Sequence, residues 1–239
     1  MPPMSATTTR TDQVTVADGS FDLHVWIPEA GHGPAILLLQ EIFGVGAYIR
    51  SVAERLAALG YVVGAPDVFW RIQRNWEAGH DEAGLNASFG MISKFDFGTG
   101  IADCVAALSR LREEPEVQGG TGVMGFCLGG LLTYHVAVQG DPDAAVSYYG
   151  SNTAAGLGQA EAVTCPILFH YGENDGYIPI EEARAVEAAF AGRDDAEVHI
   201  HANAGHAFDN HESAMFHQPE AAAASWEITK AFLASYLPC

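Results

Sequence analysis

At 239 residues, 49% of them hydrophobic, with 26 glycines and 11 prolines, the chain suits one large α/β domain that can bury a sizeable core. Its 30 acidic and 11 basic residues give a formal charge of -19, a field that repels nucleic acid and anionic membrane surfaces within about a Debye length and leaves a small molecule as the expected partner. The opening stretch Met1 to Asp12 lacks the basic and apolar segments of an export signal, and apolar runs such as Ala35 to Leu39 fall far short of the roughly 20 residues that span a bilayer.

The four cysteines, Cys104, Cys127, Cys165 and Cys239, are widely spaced and form no C-x-x-C pair, so free thiols in a soluble, cytoplasmic protein are expected. Two alternating stretches, Gln13 to Val16 and Phe21 to Trp26, predict an antiparallel hairpin. The apolar run Ala35 to Gln40 predicts a buried strand, followed by an amphipathic helix from Tyr48 to Leu59 with Val52, Leu56 and Leu59 at helical spacing. Strand Tyr61 to Ala65, helix Ile101 to Leu111, strand Thr121 to Phe126 and helix Leu128 to Val138 continue the alternation. Strands Ala144 to Tyr149 and Ile167 to Tyr171, helix Glu181 to Phe190, strand Glu197 to His201 and a closing helix Pro219 to Leu237 complete it.

Strands alternating with helices imply a mostly parallel sheet covered on both faces, because a parallel crossover needs a dozen or more residues. No repeat and no Pro/Ser-rich linker divides the chain, so residues 1–239 read as one domain. The stretch Phe69 to Phe95 interrupts the pattern with a polar, aromatic-rich insertion suited to lining a pocket.

Gly125-Phe126-Cys127-Leu128-Gly129 stands at a strand-to-helix junction, where small flanking residues let a strained turn push a nucleophile out at the sheet edge. The helix N-terminus behind Cys127 favours a thiolate and the oxyanion of a tetrahedral intermediate. A base and an orienting carboxylate are then needed, in the order nucleophile, acid, histidine. Asp175, in the loop after strand Ile167 to Tyr171, fits the acid, with Glu173 as the alternative. His206, in the glycine-flanked loop after the last strand, is the best placed of ten histidines; neither His211 nor His217 occupies that turn. His199 and His201 share a strand face but have no third ligand at a recognisable spacing, so neither a metal nor another cofactor is expected. Glu41 follows strand Ala35 to Gln40, which puts its carboxylate and the Ile42 N-H at the same sheet edge, where an oxyanion donor belongs.

Gln40-Glu41-Ile42-Phe43-Gly44, Gly125-Phe126-Cys127-Leu128-Gly129-Gly130, Tyr148-Tyr149-Gly150 and Ala204-Gly205-His206-Ala207-Phe208 resemble, in this order and spacing, the dienelactone hydrolase (carboxymethylenebutenolidase) family over nearly the whole chain. The resemblance implies an α/β-hydrolase fold, a triad of Cys127, Asp175 and His206, and oxyanion donors at Ile42 and Leu128. It also implies that Glu41 holds the resting thiol and accepts its proton when substrate arrives. The arginines with which the family's dienelactone enzymes grip a substrate carboxylate have no counterpart here. Asn210 stands at one position, Leu85 and Phe89 stand where the family has Arg and Tyr, and no Lys or Arg lies between Arg193 and Lys230 or from Asn75 to Ser93. Each charged contact of that kind contributes about 1.5 to 3 kcal/mol, so an anionic ligand loses much of its grip.

The expected activity is therefore cysteine-dependent hydrolysis of a small, less acidic ester or lactone by a monomer or small homo-oligomer. Phe43, Trp70, Phe89 and Phe208 are candidate apolar walls, and Arg71 and Arg74 are the nearby cations. Two alternatives stand beside it. One is a non-catalytic or redox-responsive relative in which Cys127 senses oxidants. The other is a glutaminase-like amide hydrolase, whose class expects His-x-Glu where this chain has His206-Ala207-Phe208-Asp209.

Overall fold

The computed structural model describes residues 7–239; the first six residues of the stretch read as lacking an export signal lie outside the described residues. β1 (Thr8–Val16) and β2 (Gly19–Ile27) form the expected antiparallel hairpin, and Phe21, Leu23 and Val25 point inward with the period of two that the sequence carries. β3 (Gly33–Leu39) is buried along its whole length, as a central strand covered on both faces must be. α1 (Ala47–Ala58) covers it with a stripe of Tyr48, Ile49, Val52, Ala53 and Leu56.

β4 (Val62–Pro66) leads into the insertion, which holds α2 (Glu82–Ile92); α3 (Phe97–Arg112), β5 (Val117–Phe126) and α4 (Leu128–Gln139) follow. β6 (Ala145–Tyr148), a 3-10 helix at Thr153–Ala162, β7 (Ile167–Gly172), α5 (Ile180–Phe190), β8 (Ala196–His201) and α6 (Pro219–Tyr236) complete the order. The strands form one eight-stranded sheet, β1-β2-β4-β3-β5-β6-β7-β8, parallel from β4 to β8 and closed at one edge by the hairpin, with helices on both faces.

β4 lies on one side of β3 and β5 on the other, so the chain reverses direction across the sheet between β3 and β5. Open α/β sheets place their ligand crevice at such a reversal, beyond the carboxyl ends of the strands. The register pairs Leu39 with Gly125, which brings the segments after β3 and β5 level at that crevice.

Besides the earlier starts of β1 at Thr8 and β5 at Val117, three local features depart from the expectations. α3 begins four residues early because Asp96 caps it, its Oδ1 accepting from the Thr99 N-H at 2.7 Å. α2 forms inside the insertion, capped by Asp81 through the Gly84 N-H. The 3-10 helix occupies a Gly/Ala-rich stretch that carries no apolar period. No helix among the described residues is long and apolar enough to cross a membrane, and all four cysteines are free, with Cys104 and Cys165 buried.

Candidate active site

Cys127 sits between β5 and α4 with φ 55° and ψ -113°, a backbone conformation that a side-chain-bearing residue adopts at a cost of about 1–3 kcal/mol. Packing enforces it. A Cβ at Gly129 would lie 2.2 Å from the Leu39 carbonyl oxygen, and one at Gly125 equally close to the Gly129 carbonyl, so only glycines let α4 start flush against the end of β3. The Cys127 N-H donates to the Tyr148 carbonyl at 3.0 Å, which fixes the turn from the β6 side.

The Cys127 Sγ lies 3.1 Å from His206 Nε2, and His206 Nδ1 donates to Asp175 Oδ2 at 2.7 Å. The other Asp175 oxygen accepts from the Tyr177 and Ile178 N-H groups at 2.8 and 3.0 Å. The choice between the two carboxylates of this loop is thereby made. Glu173 turns to the surface, where it accepts from the Asn203 N-H. The loops carrying Asp175 and His206 are laced together by the Asn174 N-H on the Ala204 carbonyl at 2.8 Å, and Gln218 holds the Gly205 N-H at 2.7 Å. Burial by itself would push the His206 imidazole down, but the Cys127 sulfur and the Asp175 carboxylate outweigh it and hold the group well above its ordinary value. The rings of Tyr149 and Tyr177 flank His206 at 5.2 and 5.0 Å.

Glu41 is buried at the end of β3. Its Oε2 accepts from Asn210 Nδ2 at 2.7 Å and lies 3.8 Å from His80 Nε2, while its Oε1 is buried with no hydrogen-bond partner. Sγ is turned to His206. Ile42 lies at the β3 end and Leu128 opens α4, where the helix leaves its first N-H groups unpaired. Trp76 of the insertion fastens this edge by donating from Nε1 to the Ile42 carbonyl at 3.1 Å.

Glu41, Ile42, Cys127, Leu128 and His206 border one cavity of about 290 Å³. Its apolar wall comes from Phe43, from Leu85, Phe89 and Ile92 of α2, and from Phe97, Leu131 and Phe216; Ser151, Asn152 and Tyr177 add polar edges. Phe43 and Phe89 thus stand on this wall.

Four candidates do not. Trp70 stacks on Phe21 at 5.4 Å and donates from Nε1 to Asp103 at 2.9 Å, because the chain after β4 folds back against the hairpin instead of over the crevice. Arg71 bridges Asp103 and Asp18 on that same side, and Arg74 lies over the Trp70 ring and donates to the Ser20 carbonyl. Phe208 is fully buried behind His206 against Tyr148, Tyr149 and His201, a support and not a wall.

The histidines considered as metal ligands are engaged elsewhere: His201 pairs with the buried His170 at 3.0 Å and His199 contacts Glu197 at 2.9 Å. Among the described residues no three His, Cys, Asp or Glu side chains converge as a metal site. Sequence reading missed His80, Tyr149 and Tyr177 as neighbours of the site, and Leu131, Ser151 and Asn152 as lining. Only Tyr149 carries a local signal, as part of Tyr148-Tyr149-Gly150; the others arrive by the packing of separate elements.

The dienelactone hydrolase family model matches residues 21–237. The chain belongs to that family. It is 35% identical over 204 residues to a carboxymethylenebutenolidase of Pseudomonas sp. (strain P51), covering 85% of both chains, and 32% identical over 207 residues to that of Pseudomonas putida, covering 86% and 88%. A solved dienelactone hydrolase-like promiscuous phosphotriesterase, P91, from metagenomic libraries superposes with a TM-score of 0.82 at 24% identity, covering 97% of this chain and 99% of that one, which supports the fold. The fold is that of the α/β-hydrolases. As a member of this family the chain is a hydrolase of esters or lactones.

Proposed function

We propose that this family member hydrolyses a small ester or lactone through an acyl-enzyme on Cys127. The observation that carries the reading is the continuous contact from Asp175 through His206 to Cys127, at 2.7 and 3.1 Å, with the sulfur at the head of α4 on the cavity wall. His206 takes the Cys127 proton, and the elevated imidazole supports the resulting thiolate and imidazolium pair. The thiolate attacks the carbonyl carbon, and the displaced electron pair gathers on an oxygen facing the Ile42 and Leu128 N-H groups. Collapse breaks the C-O bond and the departing alkoxide takes the proton from His206; in a lactone it stays tethered and the ring opens. Water then attacks the thioester as His206 accepts its proton, releasing acid and thiolate.

Glu41 Oε1, buried and free of other hydrogen bonds, supports a second acceptor for the thiol proton when substrate enters. The names of the relatives, carboxymethylenebutenolidases, support a lactone among the substrates. Every proposed catalytic group comes from one domain of one chain, so the reading suits a monomer or small homo-oligomer. Four free thiols support a cytoplasmic setting.

Turnover of an activated aryl ester and of dienelactone by the native protein, Cys127→Ala and Cys127→Ser tests this. Loss of about 10³-fold or more in Cys127→Ala is expected. A mass increase equal to the acyl group should be trapped on the Cys127 peptide. Unchanged ester turnover in Cys127→Ala sinks the proposal, and reversible oxidation of Cys127 without any acyl adduct favours the redox-responsive alternative.

A further inference from the structure

Three observations bear on the charge of the substrate. The first is the wall. Leu85, Phe89 and Ile92 recur at helical spacing on one face of α2 and turn that face to the cavity, where Phe97, Leu131 and Phe216 complete it; no Lys or Arg is among the lining residues. At about 290 Å³ the space is roughly twice the ~150 Å³ cavity that holds a benzene ring, so an aryl or medium-alkyl ester fits.

The second is where the surrounding cations go. Arg71 is committed to Asp18 and Asp103, Arg50 to Glu77, and Arg55 to Asp209 and the Trp226 ring, while Lys94 is exposed and outside the lining. The third is Asn210. Its neutral amide is the direct hydrogen-bond donor to the buried Glu41 carboxyl, and that donor is already used. A carboxylate entering this cavity would shed its hydration without meeting a Lys or Arg side chain, since the one basic group on the wall that the mechanism charges, His206, is already engaged by Asp175 and the Cys127 sulfur, and would do so in the field of a chain of formal charge -19.

We infer that the site selects uncharged esters or lactones bearing an apolar group of aryl or medium-alkyl size, and discriminates against the same scaffold carrying a carboxylate. The inference rests on the Cys127-dependent hydrolysis proposed above and adds the substrate class to it. Discrimination arises from desolvation in the apolar wall and from long-range repulsion, two contributions that salt separates because it screens the second.

The test compares three p-nitrophenyl esters with one leaving group: the butyrate, the hemisuccinate, in which a carboxylate replaces the terminal methyl, and the methyl succinate, in which that carboxylate is masked. Rates are taken after subtraction of the uncatalysed reaction. The expected result is a kcat/KM for the butyrate about 10²-fold above that of the hemisuccinate, with the methyl succinate within about tenfold of the butyrate. Raising salt to 0.5 M should lift the hemisuccinate rate severalfold and leave the butyrate rate unchanged. Phe89→Arg, at a side chain already 45% exposed and so tolerant of replacement, should narrow the ratio at least tenfold through a lower KM for the hemisuccinate. Should that variant fail to fold, the comparison on the native protein decides alone. A hemisuccinate kcat/KM equal to or above the butyrate value, lost in Cys127→Ala, overturns the inference while the hydrolase reading stands. Turnover of none of the three, or turnover that survives Cys127→Ala, removes that reading and the inference together.

Discussion

Asp175 and His206 are joined by a 2.7 Å hydrogen bond whose acceptor is fully shielded from solvent. The Tyr177 and Ile178 N-H groups hold the other carboxylate oxygen, so the acid cannot turn away and the imidazole is fixed in the tautomer that presents Nε2 to sulfur. Replacing Asp175 by Asn keeps the shape and reverses the hydrogen-bond demand. A fall in kcat/KM of about 10²- to 10⁴-fold toward an aryl ester is expected, with little change in KM. Glu173→Gln should leave the rate within about twofold, because Glu173 only meets the Asn203 N-H at the surface. Equal losses in both variants would overturn the assignment.

The elevated His206 imidazole predicts the alkaline side of the pH profile. In the proposed mechanism protonated His206 delivers the proton to the leaving alkoxide, so activity should persist above the ordinary histidine range near pH 6.5 and decline only as pH passes the raised value. In Asp175→Asn the decline should move to lower pH, because one of the groups that raise the imidazole is gone. Profiles of kcat/KM between pH 5 and 11 measure the shift.

Acid should loosen the packing of β7 and β8 behind the site. Burial holds the His170 imidazole well below its ordinary value, and burial followed by the neighbouring His199 brings His201 down to about 4. Both are lowered bases, so the unfolded chain binds more protons than the folded one below about pH 6.5. Their neutral-state stability is intact above that pH and is lost as pH falls toward 4. The melting temperature should drop by roughly 4–8 °C between pH 7 and pH 5 on their account, allowing for the partial exposure of His201. His201→Gln should reduce the drop when melts are followed by circular dichroism.

Arg71 predicts stability without catalysis. Asp103 is nearly buried and is held by Arg71 and by Trp70 Nε1, so Arg71→Ala leaves a buried carboxylate with one neutral donor. A loss of about 1–3 kcal/mol, or roughly 3–10 °C in melting temperature, is expected. The kcat/KM should stay within about twofold. A specific rise in KM would return Arg71 to the substrate site.

Much of the fold was legible because the chain writes it locally. The buried run at β3, the alternation of β2 and the stripe on α1 each need only a window of several residues, and each formed where expected. α2 was hidden because Gly84 and Gly90 and two exposed polar positions dilute its pattern, and its cap at Asp81 resembles any turn-forming aspartate. Trp70 was misplaced for a related reason. A large aromatic after a strand reads the same whether the chain next folds toward the crevice or toward the hairpin, and here stacking on Phe21 decided the direction.

The sequence by itself determined the glycine-flanked strand-to-helix turn at Cys127, the order of Cys127, Asp175 and His206 along the chain, and the absence of Lys and Arg from the insertion segment Asn75 to Ser93, since motif, order and composition are properties of the chain as written. Only the tertiary structure decided that Asp175 and not Glu173 meets His206, that Asn210 and His80 close on Glu41, and that Phe208 supports the site from behind. Those pairings join residues 31 to 169 positions apart in the chain, or turn on which face of one loop points inward. Such distances are bridged by the packing of whole elements, and no local window records it.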